Sequence, residues 1–257
     1  MEEPVTTTTS LTPLPELLAA ACPVIGRVGS AFYFVPETVA RGKELGLDGF
    51  RFYFAGRGGV LGDVEPPVVA SAFGYFEPGL IDHMWTSACA VLPPREAARA
   101  YLSCAHDLGR RQLAGLDGLG DFCRSAASVV AAAEPAALAL FAGVRAEPLP
   151  DDLPARAMHL IVVLRELRGS AHLVAVRACG LEPRIAHFLR RPDDYAFFGW
   201  RGDPPGVDDG DRRRLAEAEE LTDRLVGPAF DVLDQDGRDA LVSGLERIEP
   251  ATPLPGS

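Results

Sequence analysis

Leu45-Gly46-Leu47-Asp48-Gly49-Phe50-Arg51-Phe52-Tyr53-Phe54-Ala55-Gly56-Arg57 aligns without a gap on Cys179-Gly180-Leu181-Glu182-Pro183-Arg184-Ile185-Ala186-His187-Phe188-Leu189-Arg190-Arg191, at a constant offset of 134 positions (180 − 46). Self-similarity at this scale marks a duplicated structural unit. In each copy a short helical run ends at Gly-Leu and an acidic residue follows. A second run then sets an aromatic residue and an arginine about one turn apart. That is the grammar of a helix-turn-helix: glycine supplies the left-handed helix end, and Asp or Glu opens the next helix at its positive pole.

The match weakens outward. Val91-Leu92-Pro93-Pro94 in the first copy and Val232-Leu233-Asp234-Gln235 in the second each read as a helix end followed by a new helix start, but at unequal spacing. The pattern predicts a mainly α protein with tandem duplicated winged-helix-like domains joined by central helices. The boundaries read as a disordered tail over 1–13, a first copy over 14–115, connecting helices over 116–150, a second copy over 151–248 and a tail over 249–257. Helices are expected at 14–28, 37–44, 49–57, 78–90, 94–114 and 154–168, with the second helix-turn-helix at 172–179 and 183–189 after a break at Arg168-Gly169. A winged helix would then show two alternating runs around a turn. Residues 201–211 instead carry proline, glycine and aspartate, so the wings read as reduced.

The chain of 257 residues is long enough for two modest cores, and its net charge of −11 opposes a surface built to bind phosphate backbones. Arg184, Arg190 and Arg191 could still form a local basic face on the second helix of the second copy. The five cysteines show no paired or His-interleaved ligand spacing, which argues against zinc and a disulfide scaffold and predicts thiols in a reducing cytoplasm. No charged leader precedes an apolar core, and the alanine-rich run at 126–144 is broken by Glu134-Pro135, so neither a secretion signal nor a membrane span is expected. Gly56-Arg57-Gly58-Gly59-Val60-Leu61-Gly62 is glycine-rich but lacks the lysine and hydroxyl of a P-loop, and reads as a turn after a helix.

Arg165-Glu166-Leu167-Arg168-Gly169-Ser170-Ala171-His172-Leu173-Val174-Ala175, with Tyr53-Phe54-Ala55-Gly56-Arg57, Leu61-Gly62 and 220–228, resembles an actinobacterial family of largely uncharacterised proteins labelled SalK-like or helix-turn-helix. The resemblance runs over most of the chain. It implies a tandem, mostly helical winged-helix architecture, in which the label describes fold and not DNA binding. The Asp/Pro/Gly loop after Trp200 departs from the fuller wing-like segment of the family pattern, which weakens a DNA-reading role.

Candidate chemistry gathers on a few residues. His172, at the start of an expected helix, has the charge behaviour of an acid, base or ligand near neutral pH, or simply bonds the preceding turn. Arg57 either steadies an anionic group or complements a helix end, and Tyr53, one turn earlier, shares its face. Glu37 reads as a helix-start carboxylate, with a general-base role as the alternative. Arg168, Phe54 and Trp200 complete a ligand-binding set, with aromatic residues expected to line a pocket between the copies. His83, His106, His159 and His187 form no ligand-spaced cluster, and no metal or cofactor is expected.

Three functions follow. The first is a small-molecule-binding protein holding an aromatic or amphipathic, anionic ligand between the copies, extending to a cofactor-independent acid–base enzyme of specialised metabolism. The second is a DNA-binding transcriptional regulator. The third is a non-catalytic assembly module, with a homodimer formed through the central helices.

Overall fold

Met158 to Leu167 is apolar on every face except at His159, Arg165 and Glu166, and a helix of that composition has to lie inside others. In the computed structural model, which describes residues 11–252, it forms the middle of a 26-residue central helix. The described helices run in the order α1 (Leu14–Val28), α2 (Pro36–Glu44), α3 (Gly49–Gly58), α4 (Pro66–Phe73), α5 (Pro78–Cys89) and α6 (Pro94–Gln112). They continue with α7 (Leu119–Ala132), α8 (Ala139–Arg145), α9 (Leu153–Ala178), α10 (Pro183–Arg190), α11 (Asp209–Phe230) and α12 (Gln235–Ala251). Around α9 pack α1, α6, α7, α8 and α11. One hydrophobic cluster takes in Leu17 of α1, Phe54 of α3, Phe122 of α7, Ile161 of α9 and Leu245 of α12, so all three expected segments share a core.

Helix starts follow local chemistry. Asp48, Asp152, Asp208 and Asp234 each cap a helix by accepting hydrogen bonds from backbone N–H groups of the first turn. Proline at the first or second position opens α1, α2, α4, α5, α6, α9 and α10, where the missing N–H has no cost.

The two turns found by repetition carry the same hydrogen bonds. Leu47 N–H donates to the Gly42 carbonyl (2.8 Å) and Leu181 N–H to that of Val176 (3.1 Å), while Gly46 donates to Lys43 and Gly180 to Arg177. The two glycines have φ of 81° and 71°, the left-handed region open to a residue without a Cβ. Their surroundings differ. No residue of α3 is exposed, whereas α10 buries only Ala186 and His187. Leu47 belongs to the main core, and Leu181 to a small satellite cluster with Ala175, Val176, Ala186 and Ala218.

Several expectations change. The break at Arg168-Gly169 is absent: α9 runs unbroken through it, so His172 lies inside a helix and not at its start. Glycine costs about 1 kcal/mol against alanine there, and the buried residues on both sides of it outweigh that. No strand occurs among the described residues, and residues 191–208 form a short 3-10 turn, bends and coil. Gly56 and Gly59 are packing positions: a Cβ on Gly56 would fall 2.3 Å from the Tyr101 ring, and one on Gly59 would fall 2.0 Å from the Pro94 carbonyl. The expected tails are partly fixed. Met1 to Ser10 and residues 253–257 lie outside the described residues. Thr12 is held by Gln235 (2.6 Å) and by the buried Arg238, and Glu249 continues α12 and pairs with Arg27 (2.5 Å).

Candidate functional site

Arg57 emerges from α3 into the core, where its Nε and Nη2 donate to the two carboxylate oxygens of Glu166 on α9 at 2.8 and 2.9 Å. Its Nη1 donates to the Tyr53 hydroxyl at 3.2 Å, and the guanidinium lies 4.6 Å from the centre of the Phe73 ring. Arg165 adds a third hydrogen bond to Glu166 at 3.0 Å. Burial works to raise the Glu166 pKa, but Arg57 and Arg165 outweigh it and hold the carboxyl below its ordinary value. The carboxylate that Arg57 is suited to hold is thus internal. The adjoining cavity is ≈ 20 Å³, lined by Tyr33, Tyr101, Val162 and Glu166 among others, room for about one water. Tyr53 and Phe54 sit in the surrounding aromatic nest, with Tyr53 against Tyr33 at 5.2 Å and Phe54 against Phe73 at 5.4 Å.

One turn and a half further along α9, a second polar group reaches the surface. Thr222 Oγ1 on α11 donates to the Ala218 carbonyl (2.6 Å), so it accepts from the His172 Nδ1–H at 2.9 Å. The other ring nitrogen then carries a lone pair, with Arg190 Nη1 at 3.4 Å and a Glu219 oxygen at 3.7 Å. Glu219 accepts from Arg190 at 2.5 Å and from Arg168 at 3.0 Å, and Arg168 also meets Asp223 at 3.5 Å. Burial depresses the His172 pKa to about 4, with Glu219 opposing the shift and Arg190 and Arg168 adding to it. At neutral pH the imidazole is uncharged, with an unprotonated Nε2 beneath the Arg190–Glu219 ion pair.

The third region is the seam where α10 and residues 195–200 lie on the corner between α4 and α5. Phe198 stacks on Phe76 with centroids 4.0 Å apart, and the His187 ring lies tilted against it at 3.8 Å. Glu77 N–H donates to the Phe198 carbonyl and Trp200 Nε1 to the Tyr75 carbonyl, both at 2.9 Å. Arg184 lies 4.9 Å from the Trp200 ring centre and hydrogen-bonds the Tyr195 hydroxyl. Within this seam, the Tyr75 hydroxyl, Arg184 Nε and both ring nitrogens of His187 are buried without a hydrogen-bond partner among the described residues. Burial, with Arg191 adding to it, lowers the His187 pKa to about 4, and burial raises that of Tyr75.

The expected site residues therefore separate. Tyr53, Phe54 and Arg57 lie in the core, His172 and Arg168 in the α9–α11 network, and Trp200 in the seam. Glu37 is exposed and stands 4.0 Å from Arg111. All three arginines considered for DNA are engaged within the chain: Arg184 as above, Arg190 by Glu219, and Arg191 by Asp194 at 3.6 Å. Glu166, Glu219, Thr222 and Tyr75 escaped the sequence reading. Glu166 had left a signal, a single acid inside an apolar helix. His106 and His159 meet through Nε2 and Nδ1 at 3.0 Å, although no group of three potential metal ligands forms among the described residues.

No helix among the described residues is long and apolar enough to cross a membrane. No curated protein and no solved structure matches this sequence. A family model described as "Helix-turn-helix family" matches residues 19–201, a stretch that spans both glycine turns and the whole seam and stops short of α11. That match covers well over half of the chain, which belongs to this helix-turn-helix family.

Proposed function

We propose that this protein binds a small molecule at the seam between α10 and the α4–α5 corner, on a tandem helix-turn-helix scaffold whose wings are reduced. The observation that carries the reading is His187: the residue is 8 % exposed and both its ring nitrogens lack a partner among the described residues, as do the Tyr75 hydroxyl and Arg184 Nε of the same seam. Buried polar atoms are paired in the great majority of cases, and each lost pairing costs about 1–3 kcal/mol. A cluster of such atoms between aromatic walls is the lining expected of a ligand site. His172, neutral and with its Nε2 lone pair near Arg190, is the acid–base candidate, and its pKa near 4 makes it a weak base at neutral pH.

Family membership favours a second reading, a DNA-binding regulator that presents α10. The ion pairs of Arg190 and Arg191 and the net charge of −11 oppose it, because backbone binding draws on unpaired cations that displace counterions. The two readings part in one experiment. Native mass spectrometry of freshly purified protein, set against its denatured mass, should show a retained small molecule that is lost from His187→Leu. An empty wild-type protein that forms a salt-sensitive DNA complex, weakened by Arg190→Ala, would replace the first reading by the second.

A further inference from the structure

We infer that the seam takes a planar aromatic monocarboxylate; the inference rests on the seam being a ligand site and names the chemistry it selects. The polar atoms left over after internal pairing are mainly donors. Arg184 Nε can only donate, the Tyr75 hydroxyl donates one proton, and a neutral His187 offers one N–H and one acceptor nitrogen. Three donors, of which Arg184 Nε has no acceptor capacity of its own, set against a ring nitrogen and a phenol oxygen call for a partner that brings acceptor oxygens. The apolar surface of the seam is made of rings, Phe76, Phe198, Tyr195 and Trp200, already packed on one another, and an aromatic ligand joins such a cluster more favourably than an aliphatic chain.

Charge narrows the class further. A chain of net charge −11 repels polyanions at long range, so a phosphate diester polymer or a phosphate dianion meets a larger penalty than a single carboxylate. A guanidinium stacked on an indole, as Arg184 is on Trp200, is the group that pairs with a carboxylate in its own plane. The molecule already contains the model of such a pairing in Arg57 with Glu166, where two parallel hydrogen bonds of 2.8 and 2.9 Å join a guanidinium to a carboxylate among aromatic rings. At the seam the arginine is present and the carboxylate is left for the ligand to bring.

The test is calorimetric titration of the full chain at pH 7.5 with 2-naphthoate and with naphthalene-2-carboxamide, which has the same rings and no charge. The acid should bind at least tenfold more tightly than the amide, and Arg184→Gln should remove that difference without changing the circular dichroism. Equal affinity for acid and amide, both weakened by His187→Leu, would overturn the carboxylate and leave the seam as a site for neutral aromatics. Acid binding unchanged by both Arg184→Gln and His187→Leu would overturn the seam itself, as would binding of neither probe at millimolar concentration.

Discussion

The two glycine turns have the same hydrogen bonds and opposite fates. After Gly46 the chain enters α3, which has no exposed residue and whose arginine is closed by Glu166; after Gly180 it enters α10, which buries only Ala186 and His187. The turn fixes the path of the backbone over a few residues, and the partners brought from elsewhere decide what the following helix is for. Around α3 those partners are Tyr101, Phe73 and Glu166, and the helix becomes core. Around α10 they are Tyr75, Phe198 and the Arg190–Glu219 pair, and the helix becomes the cover of a seam. Lightly packed elements open at lower free energy than core elements, so α10 is the one suited to admit a ligand.

The largest test of this contrast compares the two ion pairs. Side-chain exposure is 15 % and 4 % for Arg57 and Glu166, against 50 % and 32 % for Arg190 and Glu219. Glu166→Ala leaves a guanidinium buried without its counter-charge, and should destabilise the fold by about 3–5 kcal/mol in urea denaturation. Glu219→Ala removes a solvated pair and should cost about 1 kcal/mol or less. Equal losses would mean that the α9–α11 network is as much a part of the core as the Arg57 pair.

Next comes the close approach of α3 to α6. Gly56→Ala drives a methyl group against the Tyr101 ring and should cost about 3 kcal/mol, the upper end for overpacking. Gly180→Ala has nothing within 4 Å of its new Cβ and should lose only the preference for left-handed φ, about 1 kcal/mol, as read from the same urea curves. A Gly180→Ala loss as large as that of Gly56→Ala would show α10 to be packed as tightly as α3.

How much of this was legible in the sequence depends on the distance over which each feature is decided. Pro13, Pro15 and the spacing of Leu14, Leu17, Leu18 and Ile25 place α1 within residues 14–28, as observed. Both turns were readable because Gly46 and Gly180 act within five residues of themselves. Gly169 was misread as a break because local propensity favours one, while the burial of α9 on either side comes from α6, α7 and α11. The fate of Arg57 was illegible for the same reason: an aromatic residue and an arginine one turn apart look alike on a core helix and a surface helix, and Glu166 lies 109 positions away. From the sequence, aromatic residues are expected to line a pocket between the copies, and neither Tyr75 nor His187 is named for it; these two meet through tertiary packing that no spacing announces.

The smallest effects concern protons. His187 and His172 both have folded pKa values near 4, and an unfolded histidine titrates near 6.5. The unfolded chain therefore binds protons first as pH falls, so the stability that each neutral ring contributes is complete above about pH 6.5 and declines as pH drops toward 4. Each contributes a loss of at most about 1.4 kcal/mol per pH unit inside that window. For His172 the value near 4 already includes the opposing charge of Glu219. His187→Leu and His172→Leu should therefore each flatten the fall in urea midpoint between pH 7 and pH 5, and to a similar extent. An unchanged slope in His187→Leu would mean that α10 lifts and hydrates the ring before it titrates. Acid would then open the seam by itself, and the difference between α3 and α10 would be one of cooperativity as well as of burial.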